Sequence, residues 1–537
     1  MAESKLPGIM AFEMMAKAEE KPDFKVLTFE CHPYSDEVLT YSDLVLKGNK
    51  LAQALKKKGI GRGDVFTILL RNHPEVIIAQ YAASALGAVI VPVDPRTKGD
   101  KLIYQIKDSN SKGVIFAGEF MGNMEKVLPA IPDLNFVSVM NRDYFEGVDT
   151  SKYQGMEEIL EGPEAPGLVP DQHSLNDPFM IVYTSGTTGN PKGVTSKADR
   201  FLGIEAVSKL VWQYDENDIL YTGLSLSHGN ANAVTMLPAL TLSIPGVISR
   251  KFTKSRIWDV CRKYGCTTFS LLGGMMMGIY SEPVKPNDGD NPVIKVLSAG
   301  TPRTIWENFE KRFNLKIHEW YGTVEGGFAH NPVGAGPIGS FGKPLEGMWE
   351  MKVVREDDTE TDPGEIGELI GRLPQGKTEV EYIGNKKASE EKTRGGWLRT
   401  GDMVHKDEDG WLFFDFRMGG GLRRQGDFVI PESIEKAMAE LSEVSDVCVY
   451  GVPAESGAPG ESDIVAALNA VPGQEIIPKN IFEALLNSDL EKSFIPTYLQ
   501  VVDEIPKTAS EKNLGRLLKD DFSKDASNVF KYPDCMK

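Results

Sequence analysis

Eleven consecutive residues, Tyr183-Thr184-Ser185-Gly186-Thr187-Thr188-Gly189-Asn190-Pro191-Lys192-Gly193, bring together four Ser/Thr hydroxyls, three glycines and one lysine. Glycines let the backbone come close to a ligand, backbone N–H groups and hydroxyls donate to phosphate oxygens, and the lysine adds positive charge. The pattern Gly-x-x-x-x-Gly-Lys-Ser/Thr cannot be laid on this stretch, so it is not a Walker loop. The chemistry it predicts is the capture of a phosphate-bearing ligand.

The elements that must hold this loop are legible around it. Pro178-Phe179-Met180-Ile181-Val182-Tyr183 is an apolar run that reads as a buried strand leading straight into the loop. Upstream, Val65–Leu70 and Ala88–Val93 read as strands flanking a helix over Pro74–Leu86. The alternation recurs at Lys101–Asp108 with Gly113–Ala117, and at Arg256–Tyr264 with Thr267–Leu272. Strand–helix–strand alternation predicts parallel sheet covered by helices. Residues 1–60 carry a helical pattern, with Ser42 or Asp43 as the expected cap of a helix running through Leu55. Residues 140–176, rich in Asp, Glu, Gly and Pro, read as a surface connection. Beyond Asp427 a smaller α+β unit is expected, with helices over Pro431–Leu441 and Pro478–Leu490 and strands at Val447–Gly451 and Ile464–Leu468.

With 537 residues the chain exceeds one ordinary core, so at least two domains are expected. A formal charge of −18 argues against non-specific binding to nucleic acid or anionic lipid. No apolar run reaches the length of a membrane span, and Met1–Pro7 lacks the apolar core of a signal peptide. The five cysteines have neither metal-ligand nor disulfide spacing. A reducing, cytoplasmic setting is the expectation.

The loop at 184–193 resembles the signature Thr-Ser-Gly-Thr-Thr-Gly-x-Pro-Lys-Gly of the adenylate-forming superfamily, which contains acyl- and aryl-CoA ligases. Further segments resemble that family in the same order. Val296–Pro302 is similar to its Gly-Gly/Ala-x-Pro turn, which implies that Gly300, Thr301 and Pro302 lie against nucleotide and acyl group. Glu319-Trp320-Tyr321-Gly322-Thr323-Val324-Glu325 resembles Tyr-Gly-x-Thr-Glu. Tyr321 would stack on adenine, with Glu319, Trp320, Gly322 and Thr323 beside it. Glu325 would hold magnesium with help from Thr184. Val324 replaces the usual threonine, removing a hydroxyl that Thr323 replaces only in part. Asp402, in Arg399-Thr400-Gly401-Asp402, is implied to accept from the ribose hydroxyls, and Arg417 to contact ribose or phosphate. Phe416 stands where relatives carry aspartate. Gly419 falls at the family's hinge, in place of the usual aspartate or lysine. Ile505-Pro506-Lys507-Thr508-Ala509-Ser510-Glu511-Lys512 resembles Pro-Lys-Thr-x-x-Gly-Lys. Lys512 would then be the catalytic lysine, Lys507 its nearest competitor, and Glu511 a replacement for glycine.

The resemblance implies an α/β fold. Residues 1–418 would form a large adenylation domain of parallel-rich sheets covered by helices, and residues 419–537 a small mobile α+β domain. It implies an ATP-dependent acid–thiol ligase: a carboxylate attacks the α-phosphate of ATP, and coenzyme A then takes the acyl group from the adenylate. Lys512, Lys192, Glu325 and the donors of Thr184, Ser185, Gly186, Thr187, Thr188 and Gly189 would offset the repulsion between two anions. The acyl pocket is expected around His228, Gly229, Asn230, Gly273, Gly274, Met275, Met276, Ser298 and Ala299, and coenzyme A near Arg423, Arg424 and Gly426. No carboxylate in Leu224–Asn230 matches the one that holds an α-amino group, which disfavours an amino-acid-activating domain. The expected substrate is a small aromatic or medium-chain acid. Alternatives are a carnitine-like or dicarboxylic acid, an adenylate synthetase serving a carrier protein, or a catalytically weak nucleotide-binding scaffold. A homodimer is left open as an assembly.

Overall fold

A computed structural model describes residues 8–536 apart from 143–144, 146–147, 164–167, 169, 172–173, 185–190, 375, 377, 419–420, 425–426, 456–461, 489, 491–493 and 509–510, and without the side chains of Arg200, Arg423, Asp427, Phe428 and Met536. The helix Pro74–Leu86 shows how the large part is built. All thirteen of its residues are buried. A helix apolar on every side can only sit inside a fold, and this one lies in the core cluster shared by two large sheets. Pro74 opens it, where a missing N–H costs nothing, and Gly87 in the left-handed region closes it.

One sheet has seven strands, in the order Gln154–Gly155, Phe136–Met140, Ser111–Ala117, Val65–Leu69, Val89–Pro92, Pro178–Tyr183 and Gly193–Lys197. Only the last pair is antiparallel, as the chain turns back through the glycine-rich loop. The other sheet has nine strands. Its parallel core runs Lys316–Thr323, Lys295–Ala299, Thr268–Leu272, Leu220–Thr222, Gly246–Ser249 and Lys25–Glu30. A four-stranded antiparallel sheet (Glu350–Val354, Gly367–Arg372, Leu398–Lys406, Leu412–Arg417) completes the large unit. From Val429 onward the chain builds a separate apolar cluster around the strands Val444–Pro453, Ser462–Ala470, Tyr498–Val501 and Val529–Lys531. A large parallel-rich unit and a small α+β unit are thus both present.

Several local expectations need correction. The helix Tyr41–Lys57 is capped by Thr40, in a reciprocal box with Asp43, not by Ser42 or Asp43. The strands Lys25–Glu30 and Glu37–Thr40 occupy part of the stretch expected to be helical. The 140–176 connection contains the helix Met156–Glu161. The helix expected to reach residue 490 ends at Leu486.

Candidate active site

Parallel strands leave a crevice beyond their carboxyl ends, where ligands of α/β folds bind. Here Thr222, Leu272, Ala299 and Thr323 end four neighbouring strands. Two of those ends nearly touch: a Cβ on Gly273 would lie 1.9 Å from the Gly300 carbonyl oxygen, so the approach demands glycine. Gly300 turns the chain at φ +80°. Beneath it Glu319 is fully buried. Its Oε1 accepts the N–H groups of Gly300 (2.5 Å) and Thr301 (3.1 Å), and its Oε2 the Thr301 hydroxyl (2.5 Å). Burial pushes this carboxyl up to about 7, against the hydrogen bonds from Thr301, Gly300 and Ser298. Glu319 therefore shapes the Gly300-Thr301-Pro302 turn from below.

Side chains alternate along Lys316–Thr323, and the alternation sorts the predicted residues. Tyr321 donates its hydroxyl to Asp402 Oδ2 at 2.5 Å and leans on Phe341. Asp402 stands directly across from Arg417 in the strand register, with Arg417 Nε 3.4 Å from its Oδ1. Burial, then the Asp402 charge, hold the Tyr321 phenol well above its usual pKa, so it stays a donor. Trp320 points the other way and packs against Trp212 and Phe328. The structure does not bring it to the Tyr321–Asp402–Arg417 group. Thr323 spends its hydroxyl on the Gly326 carbonyl, 2.8 Å away, and so does not substitute for the missing hydroxyl at Val324.

Glu325 sits in the turn after that strand. Its Oε1 accepts from the Tyr382 hydroxyl at 2.8 Å and lies 4.0 Å from Lys392 Nζ, and Oε2 has no partner among the described residues. Lys192 Nζ stands over the Tyr382 ring, 5.1 Å from its centroid. The Thr184 N–H donates to the Lys192 carbonyl at 3.0 Å and closes the neck of the glycine-rich loop. Ser185, Gly186, Thr187, Thr188 and Gly189, which form the loop itself, lie outside the described residues. Tyr382 thus links the loop's lysine to the Glu325 carboxylate.

From the small unit, the loop carrying Lys512 reaches this group. The loop is tied internally: the Thr508 N–H donates to the Lys512 carbonyl (2.8 Å), and the Lys512 N–H to the Thr508 hydroxyl (3.1 Å). Lys512 is open to solvent within the cleft. The protein around it nevertheless lowers its pKa, first by burial and then by repulsion from Arg417, while Asp402 and Glu325 pull the other way. His228 feels the same lysine. Burial and then Lys512 bring its pKa down to about 4, so its imidazole is neutral near pH 7, with Nδ1 accepting the Asn230 N–H. Lys507, the competing lysine, is held 2.5 Å from Asp446.

The remaining expected residues differ in exposure. Met275 and Met276 are buried in the main core, Asn230 and Ser298 are buried, and Gly229 faces open space. Arg424 is half-buried in the strand Leu422–Arg424, and its guanidinium donates to the Ile495 carbonyl of the same small unit. That is a poor posture for meeting a coenzyme. The Arg423 side chain, Gly426 and Gly419 lie outside the described residues. Sequence reasoning missed Tyr382 and Lys392, which no local pattern singles out.

The Gly300–Pro302 turn, a carboxylate–tyrosine–arginine group and a lysine carried by the small unit stand around these strand ends, an arrangement suited to holding a nucleotide. Comparison with known proteins agrees. The model of the AMP-binding enzyme family matches residues 14–376, and that of the AMP-binding enzyme C-terminal domain matches residues 433–512. The chain belongs to this family of adenylate-forming enzymes. It is 25% identical over 510 residues to long-chain fatty acid transport protein 6 of Mus musculus, covering 89% of this chain and 80% of the relative. It is 26% identical over 489 residues to a medium/long-chain-fatty-acid–CoA ligase of Mycobacterium marinum, covering 90% and 92%. Its fold matches an anthranilate CoA ligase in complex with anthranoyl-AMP, with a TM-score of 0.82 at 21% identity and coverage of 97% and 99%. A benzoate CoA ligase from Burkholderia xenovorans follows at 0.81 and 19%, with coverage of 95% and 99%. Among the described residues no helix is long and apolar enough to cross a membrane.

Proposed function

We propose that the chain joins a small aromatic or medium-chain carboxylic acid to coenzyme A, using ATP and releasing AMP and pyrophosphate. The observation that carries this reading is Lys512, brought by the small unit to the group formed by Asp402, Arg417 and Glu325. In the first step the substrate carboxylate attacks the α-phosphate, an approach of two anions whose cost the chain must offset. Lys512 and Lys192 supply positive charge, and the Thr184 neck positions the phosphate loop. Asp402 takes the ribose hydroxyls, with Tyr321 and Arg417 fixing its carboxylate. Glu325 fits a magnesium ion, because one of its oxygens is uncommitted and the ion needs only one or two protein carboxylates beside the nucleotide phosphates. The ion would neutralise phosphate charge. In the second step the coenzyme A thiol attacks the acyl carbonyl and AMP leaves. For that step residues 419–537 would turn about Gly419 relative to residues 1–418, withdrawing Lys512.

Support for an uncharged acyl group comes from the pocket residues. His228 is neutral, and Gly229, Asn230, Gly273, Gly274, Met275, Ser298 and Ala299 add no charge that would hold a second carboxylate or an ammonium. The similarity to fatty-acid ligases and to aryl ligases favours the two acid classes named. Acid-dependent exchange of pyrophosphate into ATP across a panel of carboxylic acids tests the first step. Thioester appearing only with free coenzyme A tests the second. No exchange with any acid would overturn the reading, and acylation of a carrier protein in place of coenzyme A would redirect it.

A further inference from the structure

Beside Lys512 stands a residue whose type the local backbone does not favour. Glu511 has φ +59°, in the left-handed region that suits glycine, and glycine is what the related motif carries there. A side chain kept at such a position calls for a compensating contact. The Glu511 side chain is only 15% exposed, and its carboxylate lies 3.8 Å from Arg96 Nη2. Arg96 belongs to the large unit, in the turn after the strand Val89–Pro92, where its backbone N–H donates to Asp94. Its Nη1 also donates to the Lys507 carbonyl, so one guanidinium grips the lysine loop at two points. The floor beneath is Gly274: a Cβ there would come within 3.3 Å of the Glu511 carbonyl oxygen.

The charges around Glu511 depend on the arrangement of the two units. Burial first, and then Asp446 and Glu504 of the small unit, work against its charged form. Lys507 attracts it, yet Lys507 is already held 2.5 Å from Asp446. The other attraction comes from Arg96, and only while the loop is seated on the large unit.

We propose that Glu511 is a positioning residue: its ion pair with Arg96 clamps the Lys512 loop onto the large unit and biases the protein toward the arrangement that forms the acyl-adenylate. The proposal rests on the ligase reading above for its kinetic consequence, and on geometry alone for its structural one. Breaking the clamp should slow the step that needs the lysine seated and spare the step that needs it withdrawn. Glu511→Gln keeps the side chain's size, and Arg96→Gln removes the partner. Each should slow adenylate formation by about tenfold, as expected for a partly buried charge pair, with thioester formation from supplied acyl-adenylate unchanged or faster. The double variant should be no slower than Arg96→Gln alone, which already loses the Lys507 carbonyl contact as well.

An independent readout needs no chemistry. Dyes placed at Glu307→Cys and Lys479→Cys, in a Cys535→Ser background, report the distance between the units by energy transfer. The variants should shift the ligand-free distribution toward the separated arrangement. Unchanged distributions in both variants, or equal slowing of the two half-reactions, would overturn the clamp. Should the parent protein form no adenylate with any acid, the ligase reading falls, while the distance distributions still decide whether Arg96 and Glu511 hold the units together.

Discussion

Replacing Glu319 with glutamine should stabilise this protein, and only above a certain pH. Glu319 is fully buried, and burial pushes its carboxyl up to about 7, from 4.5 for a glutamate side chain in the unfolded chain. Between those values the folded protein keeps a proton that the unfolded chain has released, so stability falls as pH rises through that window and the loss is complete above about 7. A gap of about 2.5 pH units at ~1.4 kcal/mol each sets the loss at about 3 kcal/mol. Glutamine mimics the protonated carboxyl. Its carbonyl oxygen can accept from the Gly300 and Thr301 N–H groups, and its NH₂ can donate to the Thr301 hydroxyl, which then donates to Ser298 2.6 Å away. The variant should match the parent near pH 4.5 and exceed it by about 3 kcal/mol near pH 8. Urea unfolding of both proteins from pH 4.5 to 8.5 reads this directly. A difference that stays constant with pH, or a variant weaker at pH 8, would refute the raised pKa of the buried Glu319 carboxyl.

Lys512→Ala should lower adenylate formation by about two to three orders of magnitude, the loss typical of removing a charge from the reacting centre. It should leave thioester formation from supplied acyl-adenylate within a few fold, and single-turnover measurement of each step checks both. Tyr321→Phe removes a donor to the Asp402 carboxylate but keeps the ring. A hydrogen bond to a charged acceptor is worth about 2 kcal/mol, so KM for ATP should rise by about thirtyfold with kcat little changed. Gly342→Ala should abolish soluble protein or cost more than about 3 kcal/mol in urea unfolding. At φ +107° its Cβ would fall 1.9 Å from the His330 carbonyl group.

The amino-acid order alone settles whatever is local or repeats along a segment. The apolar run from Pro74 to Leu86 could only be an interior helix, and Pro178–Tyr183 could only be a buried strand feeding a glycine-rich turn. The motif order gave the family, and Asp402, Arg417, Glu325 and Lys512 came with it. Period-two alternation already separates Trp320 from Tyr321, a signal that a resemblance read residue by residue overlooks. The cap at Thr40 was equally local, since a hydroxyl three residues before Asp43 makes a reciprocal box. Other features depend on chain segments meeting across long separations. Tyr382 and Lys392 reach Glu325 because the antiparallel sheet and its loops fold back over the strand ends. Glu319 serves a turn on the neighbouring strand, so its protonation is a property of burial that no motif encodes. Arg96 and Glu511 face each other only once two separately cored units are docked. Side-chain type and spacing specify which groups are available. Which of them share a low-dielectric crevice, and therefore feel one another's charge, is decided by packing.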